Sequence, residues 1–416
     1  MKPLFVQSAV FVVICCLSWR GAQASEGGER YFSRIDVRGV ERTRAAAIEE
    51  LLPRPLPNTY SEQEIREFKR RTGDLQLFDH VSVGEEGTLL RVDVREKFSI
   101  SPIVDLSTGK TLRDTSATLG AVENNIDGDG TRLGGYAKYS ERGPQFSIWL
   151  AQHSYHPAAW QKEAEVFFSG SSFRFVGSPE TWQRTRLGGD VEVKTPYSYS
   201  SALRYEFVVA AYRERLTLAG AGAVPKDGTF LGTASELIWD RYSWNDTTPR
   251  GVRITAEFRP GVFVGPAEPR FEARVEAVGA IPLGARSVVT FRATGEGVNA
   301  GNPNHSELLG SQRGVRGLPD TLYRDQAHAF ANVEFRHAIE IAKRWYVQPV
   351  AFVDGAGFLP MDANGRATSW KAALAGGAGI RLIPTWLVKT LLRVDGAHLF
   401  TPTSEWFVQF GIDQYF

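Results

Sequence analysis

The stretch VRITAEFR, Val252 to Arg259, decides the fold because its side chains alternate strictly. Positions 252, 254, 256 and 258 are apolar, whereas positions 253, 255, 257 and 259 carry a hydroxyl or a charge. This period of two predicts a β-strand with one apolar and one charged face. Such a strand suits a barrel with lipid outside and water inside. A soluble β-sandwich rarely directs so many charges toward its interior.

The same alternation recurs along the chain, in FEARVEAV at Phe271 to Val278 and in WLVKTLLRVDG at Trp386 to Gly396. In the second stretch we interpret Trp386 and Val388 as lying opposite Lys389, Arg393 and Asp395. Residues 99–416 are long enough for about sixteen spanning strands with their turns. The sequence therefore predicts a mainly β fold, a transmembrane antiparallel β-barrel of about sixteen strands.

Composition agrees with this class and excludes others. The 416 residues carry 48 basic and 47 acidic side chains, for a net charge of +1, which leaves no electrostatic footprint for nucleic acid. Glycine is frequent at 41, with 25 Phe, 13 Tyr and 10 Trp but only two Met, a composition typical of strands and turns. After the first residues, no apolar run approaches the roughly 20 residues of a spanning helix.

Residues 1–24 are typical of a secretory signal peptide. A basic Lys2 precedes an apolar run, and Ala22-Gln23-Ala24 offers small residues for cleavage after Ala24. A membrane anchor is the alternative, but the apolar run is short and interrupted. The adjacent cysteines at positions 15 and 16 lack the small residue expected before a lipidated cysteine. Both leave with the signal, so we expect a mature chain without disulfides.

Residues 30–97 have a different pattern, predicting a small α+β domain in the order β-α-α-β-β. An alternating stretch ends at Gly39, and a first helix is stopped by Pro53 and Pro55. A second helix opens with Ser61 and Glu64, the spacing of a capping box. The stretch that follows predicts a hairpin with its turn near residues 85–87.

Three segments of this domain resemble a POTRA domain, a periplasmic module that holds unfolded polypeptide before it reaches an outer-membrane barrel. They are IDVRG at Ile35 to Gly39, LFDHVSV at Leu77 to Val83 and LRVDVRE at Leu90 to Glu96. An unrelated α+β domain is the alternative. The resemblance implies one N-terminal POTRA domain in the periplasm.

The last residues, EWFVQFGIDQYF, alternate and end on an aromatic side chain. Gln409, Gly411 and Phe416 match the polar, glycine and terminal aromatic positions of the β-signal that outer-membrane barrels carry. Gln414 departs from that pattern, since a hydrophobic residue is usual there. Many soluble strands also end in Phe, but the signal peptide favours the barrel.

A POTRA domain before a barrel resembles the outer-membrane assembly-factor superfamily, which includes BamA, TamA and the two-partner secretion transporters. The most specific resemblance is VRGL, Val315 to Leu318, which matches the Val-Arg-Gly-Phe/Tyr motif except that Leu318 replaces the aromatic residue. FANVEFRH, with Glu334, and VAFVDGAGF, with Asp354, resemble the motif strands downstream. DTTPRG at Asp246 to Gly251 fits an earlier pattern more loosely.

The resemblance implies that the VRGL loop folds back into the lumen as a lock. Arg316 there needs a carboxylate partner, and its planar fork suits bidentate pairing. Gly317 allows a tight turn, and alternation places Asp354 on the inner face of its strand. Glu334 is the other candidate partner, and a solvated loop with an unpaired arginine is the alternative interpretation.

Enzyme, cofactor and metal motifs are missing from the sequence. STGKT at Ser107 to Thr111 fails as a phosphate loop, because Val104 stands where the first glycine is needed. The seven histidines have no metal-ligand spacing. We therefore expect no enzymatic activity, no catalytic residues and no cofactor.

The resemblance implies an outer-membrane protein of a Gram-negative bacterium that assists insertion or translocation of polypeptides. Its partners would be unfolded outer-membrane or secreted clients, the lipid bilayer, and periplasmic or lipoprotein accessories. One alternative is a two-partner secretion transporter, a class with two POTRA domains and a plug helix. Another is a passive pore or scaffold that handles no client.

Overall fold

A computed structural model of the chain describes most of the sequence. The described residues are 28–108, 116–140, 143–152, 160–173, 182–195, 202–218, 228–264, 268–299, 307–309, 314–318, 323–362 and 365–412. The predicted signal peptide, residues 1–24, and Phe416 of the predicted β-signal lie outside them. No described helix combines the length and the apolar character needed to cross a membrane.

Eighteen strands form one closed antiparallel sheet within the described residues. In the first half they are β6 Ile100–Thr108, β7 Ser116–Glu123, β8 Arg132–Ser140, β9 Gln145–Gln152, β10 Gln161–Phe173, β11 Trp182–Lys194, β12 Leu203–Leu218, β13 Gly228–Asp240 and β14 Gly251–Phe263. In the second half they are β15 Glu268–Pro282, β16 Ser287–Val298, β17 Glu307–Leu309, β18 Tyr323–His337, β19 Ile339–Ala342, β20 Trp345–Pro360, β21 Lys371–Pro384, β22 Leu392–Thr401 and β23 Glu405–Ile412.

Sixteen of these strands make the barrel wall. The short β17 and β19 only extend it, because β16 pairs directly with β18, and β18 with β20. The sheet closes where β23 pairs antiparallel with β6, from Val408↔Thr108 to Ile412↔Val104. The predicted fold class, a closed antiparallel barrel of about sixteen strands, is confirmed.

The two faces of the wall follow the alternation in the sequence. On β14, Phe258 is 48% exposed on the outer face, whereas its neighbour Glu257 is 8% exposed and points inward. Phe271 and Val275 of β15 are exposed outward in the same way, and Glu272 is buried inside. The apolar outer face and the charged lumen are the arrangement of a barrel that spans lipid.

The N-terminal part of the chain folds as a small α+β domain, called here the small domain, residues 30–97. Its elements are β1 Arg30–Phe32, β2 Arg34–Arg38, α1 Ala45–Glu49, β3 Asn58–Tyr60, α2 Glu62–Asp74, β4 Phe78–Glu86 and β5 Leu89–Glu96. One sheet has the order β2-β5-β4, with β2 parallel to β5, and β1 pairs with β3. Beyond the predicted order, the structure adds only the short strands β1 and β3.

Local signals in this domain act as the sequence indicates. Ser61 caps α2 in a full capping box with Glu64, which confirms that prediction. The hairpin of β4 and β5 turns at Gly87, whose φ of 63° favours glycine. Phe32, Ile48, Tyr60 and Phe68 lie in the core between the sheets and the helices. The POTRA identification and the domain boundaries stay predictions.

The small domain contacts four turns at one end of the barrel. Turn β7–β8 accepts a backbone hydrogen bond at Gly128 O from Arg44 N over 3.0 Å. Turns β13–β14, β19–β20 and β21–β22 also contact the small domain. In the β19–β20 turn, for example, Arg344 forms an ion pair with Asp79 over 2.5 Å. The β7–β8 turn is therefore also a docking point for the small domain. Because these turns lie around the rim, the domain extends across the barrel mouth.

The interpretation of Trp386 and Val388 as part of a spanning strand is wrong. Strand β21 ends at Pro384 and β22 begins only at Leu392, so residues 385–391 form a turn, with Lys389 at a φ of 49°. Val388 is fully buried in the core of the small domain rather than exposed on the outer face. Alternation of apolar residues cannot reveal that another domain, and not lipid, covers an apolar side chain.

Candidate functional site

The candidate site is a short piece of the β16–β18 loop that lies inside the lumen. All five described residues of its tip, 314–318, are buried. Gly317 has a φ of 84°, and a Cβ atom there would lie 2.8 Å from Cδ2 of Phe407. Only glycine therefore fits at this position without strain. The tight turn brings Arg316 toward the wall formed by β18 and β20.

Arg316 binds Asp354 of β20 through three hydrogen bonds. Its Nε donates to Oδ2 over 2.7 Å and its second terminal nitrogen donates to Oδ1 over 2.7 Å. The backbone amide of Arg316 also donates to Oδ2, over 3.1 Å. Arg316 is 1% exposed and Asp354 is 0% exposed. This is a buried bidentate pair, the geometry in which an arginine is strongest and a lysine cannot replace it.

Two further contacts hold the guanidinium. Its remaining terminal nitrogen donates to Glu334 of β18 over 2.5 Å. Its Cζ lies 3.3 Å from the centre of the Phe352 ring, a cation–π contact. Asn332 donates from Nδ2 to the carbonyl oxygen of Gly314 over 2.6 Å, which fixes the loop backbone beside it. The loop is thus attached to two neighbouring strands of the wall.

The charges continue around the inner wall toward the strand pair that closes the barrel. Arg381 binds Asp395 over 2.5 Å and lies 3.6 Å from Glu334. Arg393 lies 3.4 Å from Asp105 of β6. Each carboxylate is therefore flanked by a guanidinium, the condition under which buried charges are tolerated. A chain of ion pairs connects the loop tip to the closing seam.

Apolar packing supports the loop on its other side. Leu318 and Val315 are fully buried against a cluster of wall residues. The cluster consists of Phe330, Phe358, Ala373, Ala375 and Leu399, with Ala356 and Phe407 at its edge. Leu318, which stands where the resembled motif has an aromatic residue, fills an apolar pocket and needs no ring there.

The described residues of the predicted β-signal lie at the seam. Gln409 on β23 donates from Nε2 to Asp105 Oδ2 on β6 over 3.3 Å. A Cβ atom at Gly411 would lie 3.0 Å from Arg393 Nε and 3.2 Å from Asp105 Oδ2. A small residue at 411 therefore leaves room for the charge pair across the seam. The recognition role of these residues stays a prediction.

The structure brings together all the residues predicted for the lock: Arg316, Gly317, Leu318, Glu334 and Asp354. Sequence reasoning missed Arg381, which links Glu334 to Asp395. The signal was present, since Arg381 interrupts the apolar run GIRLIP and alternation places it opposite Ile380. The lock function of the cluster is not tested by its geometry and stays a prediction.

Comparison with known proteins finds no sequence relative. No protein-family model matches the chain, and no curated protein matches it. Its likeness to known proteins is therefore a likeness of structure.

Three solved structures share the fold. CdiB from Acinetobacter baumannii has a TM-score of 0.62 at 12% identity, covering 92% of this chain and 73% of its own. CdiB from Escherichia coli has a TM-score of 0.58 at 10% identity, covering 95% and 93%. BamA from Haemophilus ducreyi lacking POTRA domains 1–3 has a TM-score of 0.54 at 11% identity, covering 92% and 84%. The chain therefore has the BamA- and CdiB-like fold that its motifs predicted.

Proposed function

We propose that this chain is an outer-membrane protein that assists the insertion or translocation of polypeptides, without enzymatic chemistry or a cofactor. The single observation that carries the proposal is the loop tip bound inside the lumen by Arg316, Asp354 and Glu334. A loop tip held by buried charges inside the lumen narrows the passage, and release of that loop would widen it for a client. A barrel that must open for a client needs a closed state, and this cluster provides one.

Two parts of the fold suit polypeptide clients. Strands β2 and β4 are the edges of the small domain's sheet, so either offers unpaired backbone groups to an added client strand. Backbone pairing tolerates varied client sequences. At the seam, β23 and β6 pair over the short stretch Val408–Ile412, and opening there would expose two edges for a nascent strand.

Location is the first requirement of the proposal. The exposed apolar residues on the outer face, such as Phe258 and Val275, predict extraction only with detergent. We expect the protein in the outer-membrane fraction, with the mobility shift on heating that folded barrels show on gels. Recovery as a detergent-free periplasmic protein would refute the proposal.

Depletion of the protein tests the function itself. We expect outer-membrane barrels or secreted polypeptides to fall in quantitative proteomics, with recovery on re-expression of wild type but not of Arg316→Ala. Arg66→Ala is a matched control, because Arg66 pairs with Glu62 on the exposed face of α2. Loss of secreted proteins alone would indicate a two-partner-type transporter. An unchanged proteome combined with channel conductance would indicate a passive pore instead.

A further inference from the structure

The β13–β14 turn, residues 241–250, is an ordered element at the barrel mouth, called here the clasp. Ser243 and Arg250 exchange backbone hydrogen bonds of 2.7 and 3.0 Å, which close its base. At its tip, Asn245 Oδ1 accepts from the amides of Thr247 and Thr248, each over 3.0 Å. A turn held by its own hydrogen bonds keeps a defined shape. It can therefore move as a rigid unit.

One side of the clasp is attached to the small domain. Lys97 Nζ lies 2.8 Å from Asp246 Oδ2, and the Lys97 side chain is only 2% exposed. The amide of Trp244 donates to Asp74 Oδ1 over 3.2 Å, and the Ser243 hydroxyl lies 3.4 Å from the same oxygen. A charge buried this deeply needs an opposite charge beside it. The Lys97–Asp246 pair therefore holds the small domain and the clasp together.

The other side of the clasp is attached to a distant strand of the wall. Gln348, on the inner face of β20, donates from Nε2 to the carbonyl oxygen of Thr247 over 2.9 Å. Strands β15, β16 and β18 lie between β14 and β20 in the barrel. The clasp must therefore leave its own strands and reach over part of the mouth to make this contact. Gln348 also shares its strand and its inner face with Asp354, which binds Arg316.

We propose that the clasp closes the periplasmic mouth of the lumen and that the Lys97–Asp246 pair is its catch. When the small domain moves, Lys97 withdraws, Asp246 loses its partner, and the clasp is released from Gln348. The lumen thus has two closures, the Arg316 cluster inside the wall and the clasp at the mouth. The proposal rests on the proposed function, since it assigns a regulation to the same lumen.

A thiol reporter inside the lumen tests the closure. Glu236, on the inner face of β13 and above the clasp, is replaced by Cys in full-length protein held in nanodiscs. The reagent is a sulfonated maleimide, which does not cross lipid. We expect slow labelling with the clasp intact and at least about tenfold faster labelling in Lys97→Ala and in Asp246→Ala, because a lost buried ion pair exceeds that factor in an equilibrium constant.

Matched variants make the outcome decisive. Arg66→Ala, which removes an exposed ion pair of the same domain, should leave labelling unchanged. Arg316→Ala releases the loop inside the lumen and shows that the reporter reacts when reached. Gln348→Ala releases the clasp without touching the small domain, so it should accelerate labelling even if Lys97→Ala destabilises that domain.

Equal labelling rates in wild type, Lys97→Ala and Gln348→Ala would overturn the clasp. Failure of the clasp proposal can be distinguished from failure of the proposed function. Faster labelling with normal client assembly in a depletion strain would support the clasp and refute its role in client handling. If labelling is unchanged in Lys97→Ala and Gln348→Ala but client assembly is impaired in Arg316→Ala, the proposed function stands without the clasp.

Discussion

Arg316 and Asp354 are paired through three hydrogen bonds inside a closed barrel, although 38 positions separate them in the chain. Arg316 lies in a loop and Asp354 lies in the wall. The pair can therefore form only when the loop lies inside the lumen. Its burial makes it the most direct test of the candidate site.

Arg316→Ala is expected to release the loop while the barrel stays folded. The substitution leaves Asp354 and Glu334 without this partner, and breaking a buried pair costs about 3 to 5 kcal/mol when water is excluded. Water entering the lumen would lower this cost toward the roughly 1 kcal/mol of exposed pairs. Protease added from outside should then cut the loop, whereas heat-modifiability on gels should be unchanged.

Arg316→Lys is the control, and it should protect the loop only partly, because an ammonium cannot form the bidentate pair. Full protection in Arg316→Ala would contradict a locking role for the cluster.

Gly317→Ala should open the same loop without any change of charge. A residue with a Cβ at a φ of 84° pays about 1 to 2 kcal/mol, and the new atom would also meet Phe407 at 2.8 Å. Adding Phe407→Ala relieves the collision but not the backbone strain, so protease resistance should recover in part. Equal sensitivity of wild type and Gly317→Ala would show that the turn tolerates a side chain.

The stability of the small domain should depend on pH through Asp74. Burial raises the pKa of this carboxyl to about 6; Arg70 and the Trp244 amide lower it, and the nearby Asp240 and Glu67 carboxylates raise it. An unfolded aspartate titrates near 4, so between pH 7 and pH 5 the folded chain gains a proton that the unfolded chain does not. The domain should therefore become more stable as pH falls through about 6, by no more than about 3 kcal/mol.

Pulse proteolysis in urea at pH 7 and pH 5 measures this effect. Other carboxyls of the domain act in the opposite direction; for example, backbone amides of residues 41 and 42 help to lower the pKa of Glu96 against the effect of burial. The comparison is therefore with Asp74→Asn, which has no charge at either pH. The difference in free energy of unfolding between Asp74→Asn and wild type should be smaller at pH 5 than at pH 7. An equal difference at the two pH values would show that another group titrates.

Val388→Ala should loosen the small domain from the barrel. Val388 is fully buried in the core of that domain, and its backbone amide donates to Phe98 O over 3.1 Å. Removing buried methyl groups leaves a cavity, at a cost of roughly 1 to 3 kcal/mol. Hydrogen exchange around β5 should accelerate. The exposed Val394 of β22 is the matched control, and its replacement by Ala should leave the exchange unchanged.

Local patterns in the sequence were sufficient for the architecture. Alternation in stretches such as Val252 to Arg259 predicts a barrel wall, because each strand of such a wall has one face toward lipid and one toward water. This holds whatever strands lie beside it. The capping box of Ser61 and Glu64 and the turn at Gly87 are likewise local and appear where the sequence indicates. The resemblance of the VRGL motif supplied the candidates Arg316, Glu334 and Asp354, which alternation alone would not have singled out.

Only the tertiary structure decided which charges and which apolar surfaces meet. Arg381 joins Glu334 to Asp395 because three strands bring them together at one level of the wall, and strand register is not written in the alternation. Val388 is covered by the small domain and not by lipid, and the clasp reaches Gln348 beyond three intervening wall strands, because docking of the small domain and curvature of the barrel bring distant segments together. Periodicity determines which face of a strand a side chain lies on, whereas register and closure determine what that side chain contacts.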